Sequence, residues 1–377
     1  MLTFSRFEFF TIAFKMSSKI IDTVAILTAT LLLIFSTFAF SHKKGKIVSH
    51  KILAVFLFVN ALYIIDFALI PVERVTGLNL RWFSGIGSSF GFLFGPLLYL
   101  YSKSITQKDF SLKNSQLIHI VIFAFAFFRA LFKINIPFIY WYSIFHFQTV
   151  FYMIACFVVI INYRKEIRNY YSSVEKLNLS WMLYVVGAFF IMWMVDLSSF
   201  VFADLNFLGP AGESYLTFVS LMINFVFAIL IFYKAIQHPE IFTGIDEEEK
   251  RQKYEQSRLT EAEKKEYLQK LEDYFISEKP YLKSELTISE VAKNLDVSAK
   301  YLSQVINESL GKNFYDFINS YRIDEAKKQL NKTNDSKKTV LEVLYESGFN
   351  SKSAFNNAFK RQTGYTPTQY RKQATID

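Results

Sequence analysis

Cysteine is almost missing from this 377-residue sequence; Cys156, inside an apolar run, is the only one. An intrachain disulfide is therefore excluded, and no metal-ligand spacing surrounds the thiol, which reads as a packed core group. The five histidines are scattered. No phosphate-binding glycine loop, metal-spaced histidine pair or nucleophile motif occurs, so no catalytic residue, metal or cofactor is assigned and the chain is not read as an enzyme. Charge is scarce through the first part of the chain. Residues 1–239 hold long charge-free runs, with 19 Lys and Arg against 10 Asp and Glu. Residues 240–377 are densely charged, 23 against 23, and have no apolar run long enough to cross a bilayer. The formal net charge of +9 thus belongs to the apolar part and is no nucleic-acid footprint. Within residues 240–377, the stretch 291–377 shows a local basic excess, 14 against 9.

What the chain has instead is apolar and aromatic bulk: 52% hydrophobic residues and 42 phenylalanines. A spanning helix needs roughly 20 mostly apolar residues. Seven segments qualify: Ile20–Phe40, Ile52–Val72, Phe83–Tyr101, Gln116–Leu131, Phe138–Ile161, Trp181–Ala203 and Tyr215–Ile236. Basic residues gather in alternate loops: Lys43, Lys44, Lys46 and Lys51, then Lys103, Lys108 and Lys113, then Arg164, Lys165, Arg168 and Lys176. The other loops hold Arg74, Arg81 and Lys133, and the Asp204–Glu213 loop has no basic residue. With basic loops inside, seven spans put the C-terminus in the cytoplasm of a bacterial inner membrane. Residues 1–19 lack the small-residue cleavage site of a signal peptide. They read as an amphipathic lead-in or, if Met16 is the start, as untranslated.

Ionisable groups inside lipid are costly and become functional-site candidates. Here they are Asp66, Arg129, His146 and Asp196, all in the outer half of the bilayer in the assigned topology. They suit a charge-paired pocket for a small-molecule or envelope signal, or serve as polar glue between helices. Gly87, Gly91 and Gly95 form a ridge for close helix packing, within the bundle or in a homodimer.

Beyond Pro239, the acidic run Asp246–Glu249 leads to a helix opened by a capping box, Thr260 with Glu263. Leu268, Leu271 and Phe275 share one face, able to pair with a twin helix or pack on the next domain. Thr287 and Glu290 form another capping box, before Ile288, Val291, Ala292 and Leu295. After the tight connection Asp296-Val297, Ser298 caps a helix with Leu302, Val305 and Ile306 inward and Lys300, Ser303, Gln304 and Asn307 outward. Short helix, tight turn and a second helix with exposed donors is the helix-turn-helix pattern. It recurs: Val340, Val343 and Leu344, the turn Ser347-Gly348-Phe349, then a helix capped by Ser351. In that helix Ala354, Phe355, Ala358 and Phe359 point inward, and Lys352, Ser353, Asn356, Asn357 and Lys360 outward. A helix over about Asn313–Asn331 joins the units; at 1.5 Å per residue it spans on the order of 27 Å, near the spacing of successive major grooves.

From Leu286 to Lys372 the chain resembles the DNA-binding domain of the AraC family of bacterial transcription regulators. The resemblance lies in Val297-Ser-Ala-Lys-Tyr-Leu-Ser303, Leu310-Gly311, Tyr321-Arg322-Ile323 with Ala326, Gly348-Phe349, Phe355, Phe359-Lys360, Gly364-Tyr365-Thr366-Pro367 and Tyr370-Arg371. These motifs cover about a quarter of the chain. The resemblance implies double-stranded DNA as partner, recognition helices in adjacent major grooves, and RNA polymerase as a second partner of an activator. It places Lys300, Ser303, Gln304, Lys352, Ser353, Asn356 and Asn357 against base edges, and Asn307 shares their face. The chemistry agrees, since Gln and Asn can bond adenine twice and Lys reaches guanine acceptors. Lys360, Arg361, Arg371 and Lys372 read as phosphate contacts that fix register. Two departures stand out: the Asn331–Thr339 connection is longer than the family norm, and Leu344 replaces a usual Ala. The family's soluble sugar-binding half is absent.

The expected architecture is all-α: lead-in 1–19, a seven-helix membrane bundle over 20–238, an acidic helical linker over 239–284 and a double helix-turn-helix domain over 285–374. The expected function is a membrane-anchored transcription regulator governed by a signal sensed in the bundle. A transporter or membrane enzyme with an appended DNA-binding tail is the alternative.

Overall fold

The computed structural model describes residues 3–41, 47–77, 86–107, 110–175, 177, 179–204, 209–237, 259–331 and 338–374. Among these the chain is all-α; the extended pairing present is one isolated antiparallel bridge, Tyr171 with Thr287. The acidic run Asp246–Glu249 and the loop residues Lys43, Lys44, Lys46, Arg81, Lys108 and Lys176 fall outside the described residues. The chain divides into two compact units. One comprises Met1–Ile160 with Ser180–Ile245, the other Ile161–Leu179 with Asp246–Asp377.

The first unit contains α1 (Thr3–Ser41), α2 (Ile47–Thr76), α3 (Ile86–Ser89), α4 (Phe94–Thr106), α5 (Val121–Leu131), α6 (Phe138–Ile167, whose last two turns belong to the second unit), α7 (Ser180–Asp204) and α8 (Gly209–Gln237). Helix α1 packs along α2 and α8, and Ser36 Oγ donates to the Ala54 carbonyl at 2.8 Å. Among the described residues, five stretches are long and apolar enough to cross a membrane: Ile20–Ser41, Ile47–Asp66, Asn114–Leu131, Ile139–Ile167 and Ser180–Phe202.

Two of the seven expected spans, the third and the seventh, are not among these five. The third segment, Phe83–Tyr101, is not one helix: α3 passes into a 3-10 turn at Phe90–Leu93 before α4 begins. Pro96 explains the restart. It has no amide hydrogen, so it fits the first turn of a new helix and would break the interior of a continuous one. Gln148 of α6 donates from Nε2 to the Phe92 carbonyl at 3.0 Å, satisfying an acceptor exposed by the break. The glycine ridge serves this same packing. A Cβ on Gly95 would lie 2.8 Å from Cβ of Tyr152, and one on Gly91 3.2 Å from the Phe145 ring, so α6 sits where side chains on the 3-10 turn and α4 would stand. The seventh segment lies in the 29-residue α8, but its described apolar stretch, Tyr215–Leu230, falls short of a full span.

The second unit contains α9 (Glu261–Ser277), α10 (Ile288–Asn294), α11 (Ala299–Leu310), α12 (Phe314–Asn331), α13 (Val340–Glu346), α14 (Lys352–Thr363) and α15 (Pro367–Ala374). It has two cores. Leu271, Phe275, Tyr281, Val291, Leu302, Ile306, Phe314 and Phe317 fill one. Ile323, Ala326, Val343, Leu344, Phe349, Phe355 and Phe359 fill the other. Helix α12 runs through both. Leu271 and Phe275 are wholly buried in the first core, so the apolar face of α9 packs on this module.

Candidate nucleic-acid interface

The two helix-turn-helix units repeat one local design. Each opens with a Thr–Glu capping box (Thr287 with Glu290, Thr339 with Glu342) in which side chains satisfy amides that the first turn leaves unbonded. A seven-residue helix follows, then a turn through a left-handed residue: Asp296 at φ 53° in the first unit, Gly348 at φ 90° in the second. A serine then caps a twelve-residue helix. Ser298 accepts from the Tyr301 amide at 3.1 Å and Ser351 from the Ala354 amide at 3.3 Å. Both long helices stop at a left-handed glycine, Gly311 or Gly364. Gly348 does more than turn the chain. A Cβ there would stand 2.4 Å from the Tyr281 carbonyl oxygen, so the second unit meets backbone of the segment before α10.

The inward faces of α11 and α14 match the apolar pattern. Leu302, Val305, Ile306, Phe355 and Phe359 are fully buried, and Ala354 and Ala358 nearly so. That geometry leaves Lys300 and Asn307 exposed on α11, with Ser303 and Gln304 half-exposed, and Lys352, Ser353, Asn356, Asn357 and Lys360 exposed on α14. Several of these groups pair along their own helix: Gln304 Nε2 donates to Glu308 at 3.0 Å, and Asn307 Nδ2 to the Ser303 carbonyl at 2.7 Å. These bonds hold the donors in place. Lys372 on α15 is exposed and Arg371 half-exposed. Arg361 is engaged internally, donating from Nη2 to Asp316 of α12 at 2.5 Å. Its cation is thus partly offset, a tie between α14 and α12 that spacing along the sequence could not reveal.

The four ionisable groups expected in the membrane unit do not form one cluster. Asp196 lines a cleft with Tyr63, Thr149, Trp193, Ser220 and Asn224. Tyr63 is also within electrostatic reach of Asp66 and Tyr142. His146, buried, accepts at Nδ1 from the Trp193 indole at 3.1 Å. Arg129 lies elsewhere, its guanidinium 4.4 Å from the Trp141 ring centroid, and so does not join the cleft lining. The cleft walls add Phe94, Phe145, Phe189 and Met192, and among the described residues its lining contains no basic residue.

Sequence reasoning missed the centre of the DNA-binding module. Arg322 on α12 is 1% exposed. Nε donates to the Tyr281 carbonyl at 2.8 Å; Nη1 to the Ser172 carbonyl at 3.2 Å; Nη2 to the carbonyls of Lys283 (2.8 Å) and Ser284 (3.1 Å) and to Ser172 Oγ (3.2 Å). Its guanidinium stands 5.6 Å from the Phe349 ring of the second core. Burial pulls the group down to about 10, while Glu175 opposes the shift, so it keeps its charge at neutral pH. The signal was visible: Arg322 follows Ile318 and precedes Ala326 by four residues each, on the buried stripe of α12.

Residues 291–373 match the family model described as a helix-turn-helix domain. The C-terminal module is an AraC-type helix-turn-helix DNA-binding domain. Similar proteins include an uncharacterized HTH-type transcriptional regulator of Staphylococcus aureus (strain COL), 37% identical over 87 residues. That alignment spans 23% of this chain and 11% of the relative. The uncharacterized HTH-type transcriptional regulator YtdP of Bacillus subtilis (strain 168) is 36% identical over 91 residues, 24% of this chain and 11% of the relative. The chain thus covers about a tenth of the length of these curated relatives. A solved structure of a protein of unknown function from Listeria innocua is 27% identical, covering 28% of this chain and 95% of its own, with a TM-score of 0.25.

Proposed function

We propose that the chain is a membrane-embedded transcription regulator of a bacterial inner membrane, with its C-terminal domain in the cytoplasm on promoter DNA. The carrying observation is the pair of exposed recognition faces, on α11 and α14, in a chain whose described residues include five stretches of membrane-crossing length. The basic loops agree with that orientation. In this reading Lys300, Ser303, Gln304, Asn307, Lys352, Ser353, Asn356 and Asn357 read bases. Lys360, Arg371 and Lys372 hold phosphates, and Arg361 joins them when its Asp316 pair opens. RNA polymerase is the further partner of an activator, and a second copy of the chain would double the contacts.

The bundle senses a signal in the Asp196 cleft. A carboxylate among aromatic rings, with no base in the lining, favours a small organic cation over an anion. Genomic footprinting of the intact protein tests the main reading: enrichment at a few promoters supports it, and uniform coverage of the genome rejects it. Solute movement by DNA-free protein in vesicles would instead favour a transporter with a regulatory tail.

A further inference from the structure

Residues 161–179 join α6 to α7 in the sequence, yet they belong to the compact unit of the DNA-binding module. Their role there is specific. The first turn of any helix leaves amides without intrahelical partners. This segment supplies carbonyls to two such turns. Tyr170 O accepts from the Ile288 amide of α10 at 2.9 Å, and Arg168 O from the Tyr315 amide of α12 at 2.9 Å. Between them, the Ser172 amide donates to the Leu286 carbonyl at 3.1 Å and Tyr171 bridges Thr287. Tyr170 packs against the first core, and Ser172 is 1% exposed.

The same segment reaches the second unit. Ser173 Oγ accepts from Asn350 Nδ2 at 3.1 Å, one residue before the cap of recognition helix α14. Ser172 gives Arg322 two of its acceptors, and the other three are carbonyls of the segment preceding α10. Phe349 of the second core closes over the guanidinium. A buried cation with directional acceptors on several sides has one good position, and losing an acceptor leaves a desolvated charge.

We propose that segment 161–179 is a positioning element of the DNA-binding module: by seating Arg322 and holding Asn350, it fixes the separation of recognition helices α11 and α14 and so the half-site spacing the protein accepts. Arg322 and Ser172 are positioning residues that need not touch DNA. Because the segment continues α6 and leads into α7, which carry His146 and Asp196, it is also a covalent path by which the bundle can reset that spacing. The proposal rests on the DNA-binding reading above.

The test uses full-length protein in lipid nanodiscs and selection from a random-sequence duplex library. Wild type should recover two half-sites at one fixed separation, and inserting two base pairs between them should weaken binding about tenfold or more. Ser172→Gly, which removes the Oγ acceptor and loosens the backbone, and Arg322→Lys, which lacks the planar fork, should recover the same half-site sequences at several separations. For these variants the insertion penalty should fall to about threefold or less, whereas Ser172→Thr keeps the wild-type spacing. A fixed spacing in both loosened variants overturns the proposal. In parallel, Ser173→Cys with Asn350→Cys should be joined in the membrane-embedded protein by a short thiol cross-linker, with the fixed spacing retained. Failure to cross-link also overturns it, and this arm does not depend on the loosened variants folding. If wild type recovers no sequence at all, the DNA-binding reading has failed instead.

Discussion

Arg322 donates to the backbone carbonyl of Ser172 at 3.2 Å across 150 residues of sequence. The bond joins the helix that runs through both helix-turn-helix cores to a segment between two apolar helices of membrane-crossing length. Work on the DNA-binding module therefore belongs in the full-length chain, because a fragment starting near residue 240 lacks Tyr170, Ser172 and Ser173.

Gln304→Ala and Asn356→Ala should each relax discrimination at one or two base positions. A lost side-chain contact to a base edge costs about 1–3 kcal/mol of discrimination. Binding to cognate and single-mismatch duplexes measures it. Equal affinities of wild type and both variants across the mismatch set would remove these residues from the readout.

Lys360→Ala and Lys372→Ala should weaken binding to all sequences alike and lower the salt dependence by about one unit of slope each. Arg361→Ala should behave differently. Its partner Asp316 sits on α12, so this change should lower thermal stability as well as affinity.

Gly348→Ala should destabilise the module by about 1–3 kcal/mol through backbone strain, before any clash is counted. The residue has φ 90°, and the added methyl would meet the Tyr281 carbonyl oxygen and the Leu282 Cα. Thermal unfolding reads the loss; an unchanged melting temperature would contradict the packing described above. Phe355→Ala, at a fully buried site of the second core, should cost about 3–5 kcal/mol.

The capping boxes give a pH dependence of known sign. Hydrogen bonds from the Thr339 amide and then its hydroxyl hold the Glu342 carboxyl below its ordinary value of 4.5, and Thr260 does the same for Glu263. A carboxyl with a depressed folded-state value contributes stability that is present above the unfolded value and lost as pH falls through the folded one. Glu263→Gln with Glu342→Gln should therefore flatten the acid limb of the melting curve below about pH 4.5. Acid limbs of equal slope in variant and wild type would count against it.

Asp196→Asn should change the response of a reporter promoter while leaving DNA affinity unaltered. Tetramethylammonium added to nanodiscs should raise the melting temperature of wild type and not of this variant. A reporter response and a melting shift both identical to wild type would remove the cleft from signalling.

Much of the module was legible because its signals are local. Thr260 with Glu263, Thr287 with Glu290, the serine caps and Gly348 each act within a few residues, and all appear where spacing puts them. Thr339 with Glu342 follows the same rule, three residues apart at the start of the second unit. The interrupted third segment was harder. Gly87, Gly91, Gly95 and Pro96 all lie in it, but the break becomes tolerable only because Gln148 and Tyr152 come from a distant helix. Residues 161–179 read as a short basic loop, and nothing within them announces a partner more than a hundred residues onward. Arg129 was grouped with Asp196 on charge alone, and the Trp141 face holds it instead.

The discontinuity of the module has a consequence for biogenesis. A ribosome releases Tyr170 and Ser172 long before Ile288, Tyr315 and Arg322 emerge, so the early segment must wait, solvated, while α7 and α8 are delivered. Docking can finish only after the chain is nearly complete. Recombination that exchanges everything after Pro239 would leave the incoming domain facing a foreign segment. The apolar unit and the C-terminal module are thus constrained to be inherited together.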